Sequence, residues 1–269
     1  MEIVEYRGVS DLVAAEVLVD DADNYTTDTP FSVAGVAEIS RTTDSSAEAH
    51  YYNNIPAVVV QSTSADTITC QVSAIPFDVF AKLTGQVYDS TTGTLIEGER
   101  VAKYFAIGYK TKKTNGEEVY VWRYKTSCNV PGTTNATEND GTDANGQELV
   151  FTGIQTTHKF TKTGKGAKAI NVDLGKDLAN VSTFFDAVTT PDTLVAKTSR
   201  TLTITQATNT TVTVKRNGVT LTTGATIYDG DQLTITVTGG TLTVNSVAFT
   251  SGDIHVVTGN TTIVSTASA

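Results

Sequence analysis

Cysteine, methionine, tryptophan and proline are scarce in this chain of 269 residues, and basic residues are outnumbered by acidic ones. The two cysteines, Cys70 and Cys128, are too few and too far apart for a disulfide framework or a metal cluster. Both lie in strand-like runs, where buried free thiols are expected. Three histidines, His50, His158 and His255, are distant from one another and have no carboxylate at ligand spacing, which argues against a histidine-based metal or catalytic centre. There is no GxSxG elbow, no phosphate-binding loop, no GxGxxG after a strand and no CxxC. A glycosidase built on paired carboxylates would need aromatic residues for sugar stacking, and aromatics make up only 7% of the chain. No enzymatic function and no cofactor are therefore expected. No apolar run approaches the roughly 18 residues of a membrane span, and the start, MEIVEYRG, lacks a basic-then-apolar export pattern. No membrane association is expected, and synthesis in a cytoplasm is.

What is abundant is Thr, Val, Gly and Ser, the composition of a mainly β protein. The net charge of −10 disfavours tight nonspecific binding to nucleic acid, which requires clustered Lys and Arg to displace counterions. That charge is unevenly placed. Residues 195–269 hold four of the 19 basic and three of the 29 acidic side chains, leaving 15 basic and 26 acidic in residues 1–194.

Along the chain, LVAAEVLV from Leu12 reads as a first strand and FSVAGVAEIS from Phe31 as a second. The polar stretch from Arg41 to Ile55 then reads as a long loop, followed by two strands, AVVVQS and DTITCQVS. Pro76 and Gly85 bracket a short helix, FDVFAKLTG, with Phe77, Phe80 and Ala81 as its buried stripe. Residues 129–147 are rich in Gly, Asn, Asp and Thr without recurring apolar positions, the pattern of an exposed loop. ELVFTGIQTTHKFT and AINVDL read as strands, and Asn180–Val188 as a second helix capped by Ser182. A break at Thr190-Pro191-Asp192 divides the chain into domains 1–194 and 195–269. The second contains short alternating runs separated by Asn217-Gly218, Asp229-Gly230-Asp231 and similar turns, which indicates a small immunoglobulin-like β-sandwich.

One hairpin stands out: YFAIGYKTKKTNGEEVYVWRYK from Tyr104, with Asn115-Gly116 at its turn. A type I′ turn there would set Tyr109 against Trp122, Ile107 against Tyr124 and Thr111 against Tyr120 on a core face. Lys110, Lys112, Arg123 and Lys125 would then share the opposite face around Ala106, Gly108, Val119 and Val121, a cationic patch on an acidic molecule. Such a patch is complementary to a second copy of the chain.

This hairpin, the block from Ile75 to Asp89 (IP, short helix, LTG, Q, YD), AEAHYYNN, LVFTGIQTT and the FF pair at Phe184 occur in an order that resembles the major tail proteins of long-tailed, non-contractile bacteriophages. The resemblance covers most of residues 10–190. It implies a tail-tube fold, two packed antiparallel sheets with a flanking short helix, assembling with itself into homo-hexameric rings stacked as a tube. Through that tube double-stranded DNA passes without sticking, which suggests an acidic lumen. The implied location is the virion, and the implied partners include tape-measure, tail-terminator and baseplate proteins. The trailing sandwich resembles decorations on the tube exterior. Arg41, Asp44, Glu48, His50, Tyr51, Tyr52, Asn53 and Asn54 are expected to form a ring-stacking loop, and Lys110, Lys112, Arg123 and Lys125 an inter-subunit basic face. The alternative is a secreted or surface adhesin, or a carbohydrate-binding module, with an immunoglobulin-like domain. The missing export signal and the lack of aromatic pairs argue against it.

Overall fold

A computed structural model describes residues 3–135 and 145–268. Residues 136–144 of the low-complexity stretch 129–147 therefore lie outside the described residues. The chain divides into two compact units, Met1–Val195 and Ala196–Ala269.

The first unit is mainly β. Its strands are β1 (Tyr6–Asp20), β2 (Tyr25–Thr27), β3 (Phe31–Ser32), β4 (Val36–Tyr52) and β5 (Ile55–Val72), followed by helix α1 (Phe77–Thr84). After it come β6 (Val87–Asp89), β7 (Thr94–Ile96), β8 (Phe105–Lys113), β9 (Glu118–Cys128), β10 (Gln147–Ile154) and β11 (Ala169–Asp173). Among the described residues nine of these strands join in one antiparallel sheet, ordered β2-β1-β8-β9-β10-β5-β4, with β3 beside β1 and β11 beside β9. β1 and β4 stand far apart in that order yet pack against each other, so the continuous sheet curls around its core.

Both faces of the central hairpin are covered. Phe105, Ile107, Tyr109, Val119 and Val121 join Leu12, Ile68, Cys70 and Phe151 beneath the helix residues Val79, Phe80 and Leu83. Ala106, Trp122 and Tyr124 join Phe160, Val172, Phe184 and Val188 on the other side. The hairpin is thus apolar on both faces, not aromatic inside and cationic outside.

The register explains the difference. Tyr109 pairs with Val121, Ile107 with Arg123 and Thr111 with Val119, one residue away from the expected pairing. Gly116 has φ 90° and Asn115 does not have positive φ, so the loop is not a two-residue primed turn. The Gly116 N–H donates to the Lys113 carbonyl (3.0 Å) and the Lys113 N–H to the Glu117 carbonyl (2.7 Å), giving a three-residue loop with a glycine bulge. Trp122 consequently lies opposite Gly108, where a Cβ would sit 2.9 Å from the indole ring. Only glycine leaves room for that indole.

Helix α1 spans the expected residues. Pro76 precedes it, and Gly85 ends it with φ 70° and an N–H bonded to the Ala81 carbonyl. Its buried side is Val79, Phe80, Ala81 and Leu83, whereas Phe77 is exposed. The expected helix from Asn180 to Val188 is instead a run of tight turns, with i to i+3 bonds at Val181–Phe184 and Thr183–Asp186. The Asn180 side chain, not Ser182, accepts the local bonds, from the Ser182 N–H and hydroxyl. The Phe184 carbonyl accepts from the Trp122 indole (2.8 Å) and the Thr189 hydroxyl (3.0 Å), so one tertiary and one local side-chain bond take the place of a helical bond there. The expected strand through His158 also stops early: β10 ends at Ile154 and His158 lies in a bend.

The second unit has strands β12 (Ser199–Thr205), β13 (Thr211–Arg216), β14 (Val219–Leu221), β15 (Thr226–Tyr228), β16 (Gln232–Thr238), β17 (Gly240–Val244), β18 (Val247–Phe249), β19 (Ile254–Val256) and β20 (Thr261–Ala267). Among the described residues they form two sheets, ordered β15-β12-β20-β17-β18 and β14-β13-β16-β19. Residues from both sheets, including Leu202, Val214, Ile227, Leu233, Ile235, Leu242 and Ile263, share one buried core. Asn217-Gly218 and Asn245-Ser246 each place two consecutive residues at positive φ between paired strands, which suits two-residue hairpin turns.

Candidate assembly surfaces

The segment expected to be a loop is a hairpin arm. Arg41, Asp44, Glu48, His50, Tyr51 and Tyr52 lie on β4, and Asn53 and Asn54, at φ 53° and 65°, make the turn into β5. β10 pairs with β5 from Asp66 to Val72, so beyond Asp66 the described part of β5 pairs with β4 alone. From Ser45 to Tyr52 the arm reaches about 26 Å at roughly 3.3 Å per residue. Both of its faces meet solvent, and it exposes Tyr51 (66%), Tyr52 (65%), Ile55, Val58, Val59 and Val60. An isolated two-stranded hairpin is marginal in water. Exposed β-branched and aromatic side chains on such an arm call for a covering surface.

Arg41 differs from the other arm residues. It stands at the root and faces Asp66, with Nη1 3.8 Å from Oδ2 and 2.6 Å from the Thr43 hydroxyl. Asp66 is buried, and Arg123 (3.2 Å), Lys168 (2.9 Å) and the Thr43 hydroxyl (2.9 Å) also bind it. Burial alone would raise the Asp66 pKa, but these hydrogen bonds and the charges of Lys168 and Arg123 outweigh it and hold the carboxyl below its ordinary range.

The four hairpin cations do not share a face. Lys110 opposes Tyr120, whereas Arg123 opposes Ile107, which puts the two on opposite sides of the sheet. Lys125 lies at a bulge where Tyr124 and Lys125 stand against Ala106. Lys110 bonds Asp11 (2.8 Å) and sits over the rings of Tyr120 and Phe185. Lys125 bonds Asp20 (2.5 Å) and Arg123 bonds Asp66, while Lys112 is exposed near the hairpin tip. The shared cationic face was premised on the shifted register, and three of its four members are held within the chain.

In the first unit Asp20 and Asp66 have carboxylates only 4% exposed, and the sequence reading did not single them out. Burial opposes ionisation of Asp20, yet the backbone N–H groups of His158 and Thr157 and the Lys125 ammonium hold its carboxyl below the usual range. Cys70 and Cys128 are free and buried, and burial pushes both thiols up to about 12, which leaves them unreactive. Among the described residues no group of His, Cys, Asp and Glu could hold a metal ion, and no helix is long and apolar enough to cross a membrane.

The model of the phage tail tube protein family matches residues 25–186, more than half of the chain. The chain belongs to the phage tail tube protein family. No curated protein matches it. The matched span includes the arm, α1, the central hairpin and the Phe184-Phe185 turn. This tail tube protein is a structural virion component and not an enzyme. Membership in the family implies self-assembly with other tail proteins.

Proposed function

We propose that this tail tube protein closes into hexameric rings that stack into the tube of a long, non-contractile phage tail, the conduit for DNA ejection. The arm carries the proposal. A paired but otherwise uncovered hairpin with Tyr51, Tyr52 and Val58–Val60 exposed becomes a favourable structure once a second copy buries it. Arg41 belongs to the root of this device, and Asp44, Glu48, His50, Tyr51, Tyr52, Asn53 and Asn54 to the part that reaches the next ring. Ring closure uses the free sheet edges, which in a lone molecule are an aggregation hazard and in a closed ring are paired. Among the hairpin cations, exposed Lys112 is the one placed to meet a neighbour, since the other three have partners within the chain.

The lumen is proposed to be acidic, in keeping with the 26 acidic and 15 basic residues of positions 1–194. Carboxylates prevent phosphate contacts that would retain DNA, and screening limits their reach to about 8 Å, so they act at the wall without opposing transit. The second unit is proposed as an immunoglobulin-like decoration of the exterior, and tape-measure, terminator and baseplate proteins as the other partners. Electron microscopy of the concentrated, purified protein tests the central claim. Rings or tubes are expected; a monodisperse monomer at every salt concentration would overturn it.

A further inference from the structure

At the root of the arm the structure holds more positive charge than it neutralises. An open pocket of about 630 Å³ is lined by Arg41, Thr43, Asp66, Arg123, Lys168 and Asn171, among others. Three cations therefore face one carboxylate. Arg123 is 7% exposed, and its Nε is buried without a hydrogen-bond partner among the described residues. Lys168 and Arg41 remain 28% and 47% exposed at the side chain, so a ligand from solvent can reach them. An adjoining cleft shares Arg41, Arg123 and Asn171 but also contains Glu38, which repels an anion entering from that side.

We propose that this pocket seats an acidic side chain from a second copy of the chain, bound by Lys168 and Arg41, the two cations of the cluster that solvent reaches. Three cations facing one carboxylate leave an excess of positive charge, which an incoming carboxylate would offset with charge-assisted bonds to the two accessible side chains. The occupant is assigned from charge: the first unit carries 26 acidic residues against 15 basic ones, so a neighbouring copy brings the required group. The pocket also borders Thr43 and Ser45, between which the pairing of β4 with β5 shifts register and the arm departs. An incoming carboxylate would thus fix the angle of the arm as a neighbour docks.

This inference rests on the self-assembly reading, and the experiment separates the two. Equal amounts of ¹⁴N- and ¹⁵N-labelled protein are mixed as monomers, assembled, and treated with a carbodiimide, which joins an amine to a carboxylate in direct contact. Mass spectrometry should find Lys168 linked to acidic peptides as mixed-isotope pairs. In parallel, the double variant Arg41→Gln/Lys168→Met, verified as folded by circular dichroism, should need at least about tenfold more protein to assemble at low salt, a gap that narrows at high salt. If wild-type tubes form while Lys168 links only within its own chain, to Asp66, the pocket proposal falls and the tube reading stands. Assembly of the double variant at the wild-type threshold would also overturn it. If the wild-type chain never assembles, both readings fail.

Discussion

Asp66→Asn is the most informative single substitution in the first unit. The change keeps the shape of the side chain and an oxygen for the Thr43 hydroxyl, and removes the charge that faces Arg123, Lys168 and Arg41. Arg123 is the costly partner, because its side chain is only 8% exposed and cannot regain hydration. Breaking a buried pair by removing one member costs about 3–5 kcal/mol. Lys168 and Arg41 add less, since solvent screens them. For a unit of this size, roughly 2–4 °C per kcal/mol converts that loss to a fall of about 6–20 °C in melting temperature. Denaturant unfolding of the monomer, followed by Trp122 fluorescence, reports on the affected unit because Trp122 is the only tryptophan of the chain.

The pH dependence supplies a sharper control. The folded-state pKa of Asp66 lies below the unfolded-state value of about 3.9, so its stabilisation is complete above that value and is lost as pH falls toward the folded-state pKa. Wild type should therefore lose more stability than Asp66→Asn as pH drops below about 4, and the two should converge. Other depressed carboxylates, such as Asp11 and Asp20, titrate in both proteins and cancel in the difference. Adding Arg123→Met to Asp66→Asn should cost less than the sum of the two single changes, as expected for groups that share one interaction. A loss below about 1 kcal/mol, or a difference unchanged between neutral and acidic pH, would refute the claim that this cluster holds the root of the arm.

Four further outcomes are expected. Gly108→Ala forces a Cβ into the Trp122 ring at 2.9 Å and should cost about 1–3 kcal/mol in denaturant unfolding. Tyr51→Ser/Tyr52→Ser should leave monomer stability within about 0.5 kcal/mol, because both rings are exposed, while reducing tube yield in electron micrographs; unchanged yield would remove the arm tip from the interface. Truncation should preserve tubes if made after Val195 and not after Pro191, since Asp192 accepts from the Thr161 and Lys162 N–H groups and the Val195 carbonyl accepts from Asn180. Purified tubes should fail to retain duplex DNA at physiological salt, and tight retention would sink the acidic-lumen account.

What was legible in the sequence follows from how locally each feature is determined. Pro76 and Gly85 bracket α1 because φ near −57° and a left-handed cap are properties of those residues themselves. The hairpin β8–β9 was recognisable as a hairpin but not in its register. Its two faces are both buried, so Ala106-Gly108 and Ile107-Tyr109 are apolar at either parity and alternation cannot choose between them. Asn-Gly suits either a two-residue or a three-residue loop, and a one-residue slip moved Arg123 from the supposed outer surface to a buried pair. Asp66 did carry a signal, since it is in phase with buried Ile68, Cys70 and Val72, and an acid on a buried phase requires a partner. The arm failed for the opposite reason. Residues 41–55 have no buried face within the chain, so they show no alternation and read as a loop, although Asn53-Asn54 between Tyr52 and Ile55 is hairpin-turn chemistry. Binary patterning reports only surfaces that a chain buries against itself. If the arm is completed by a second copy, as proposed, the pattern that makes it a strand pair is divided between two molecules, and a single chain shows half of it.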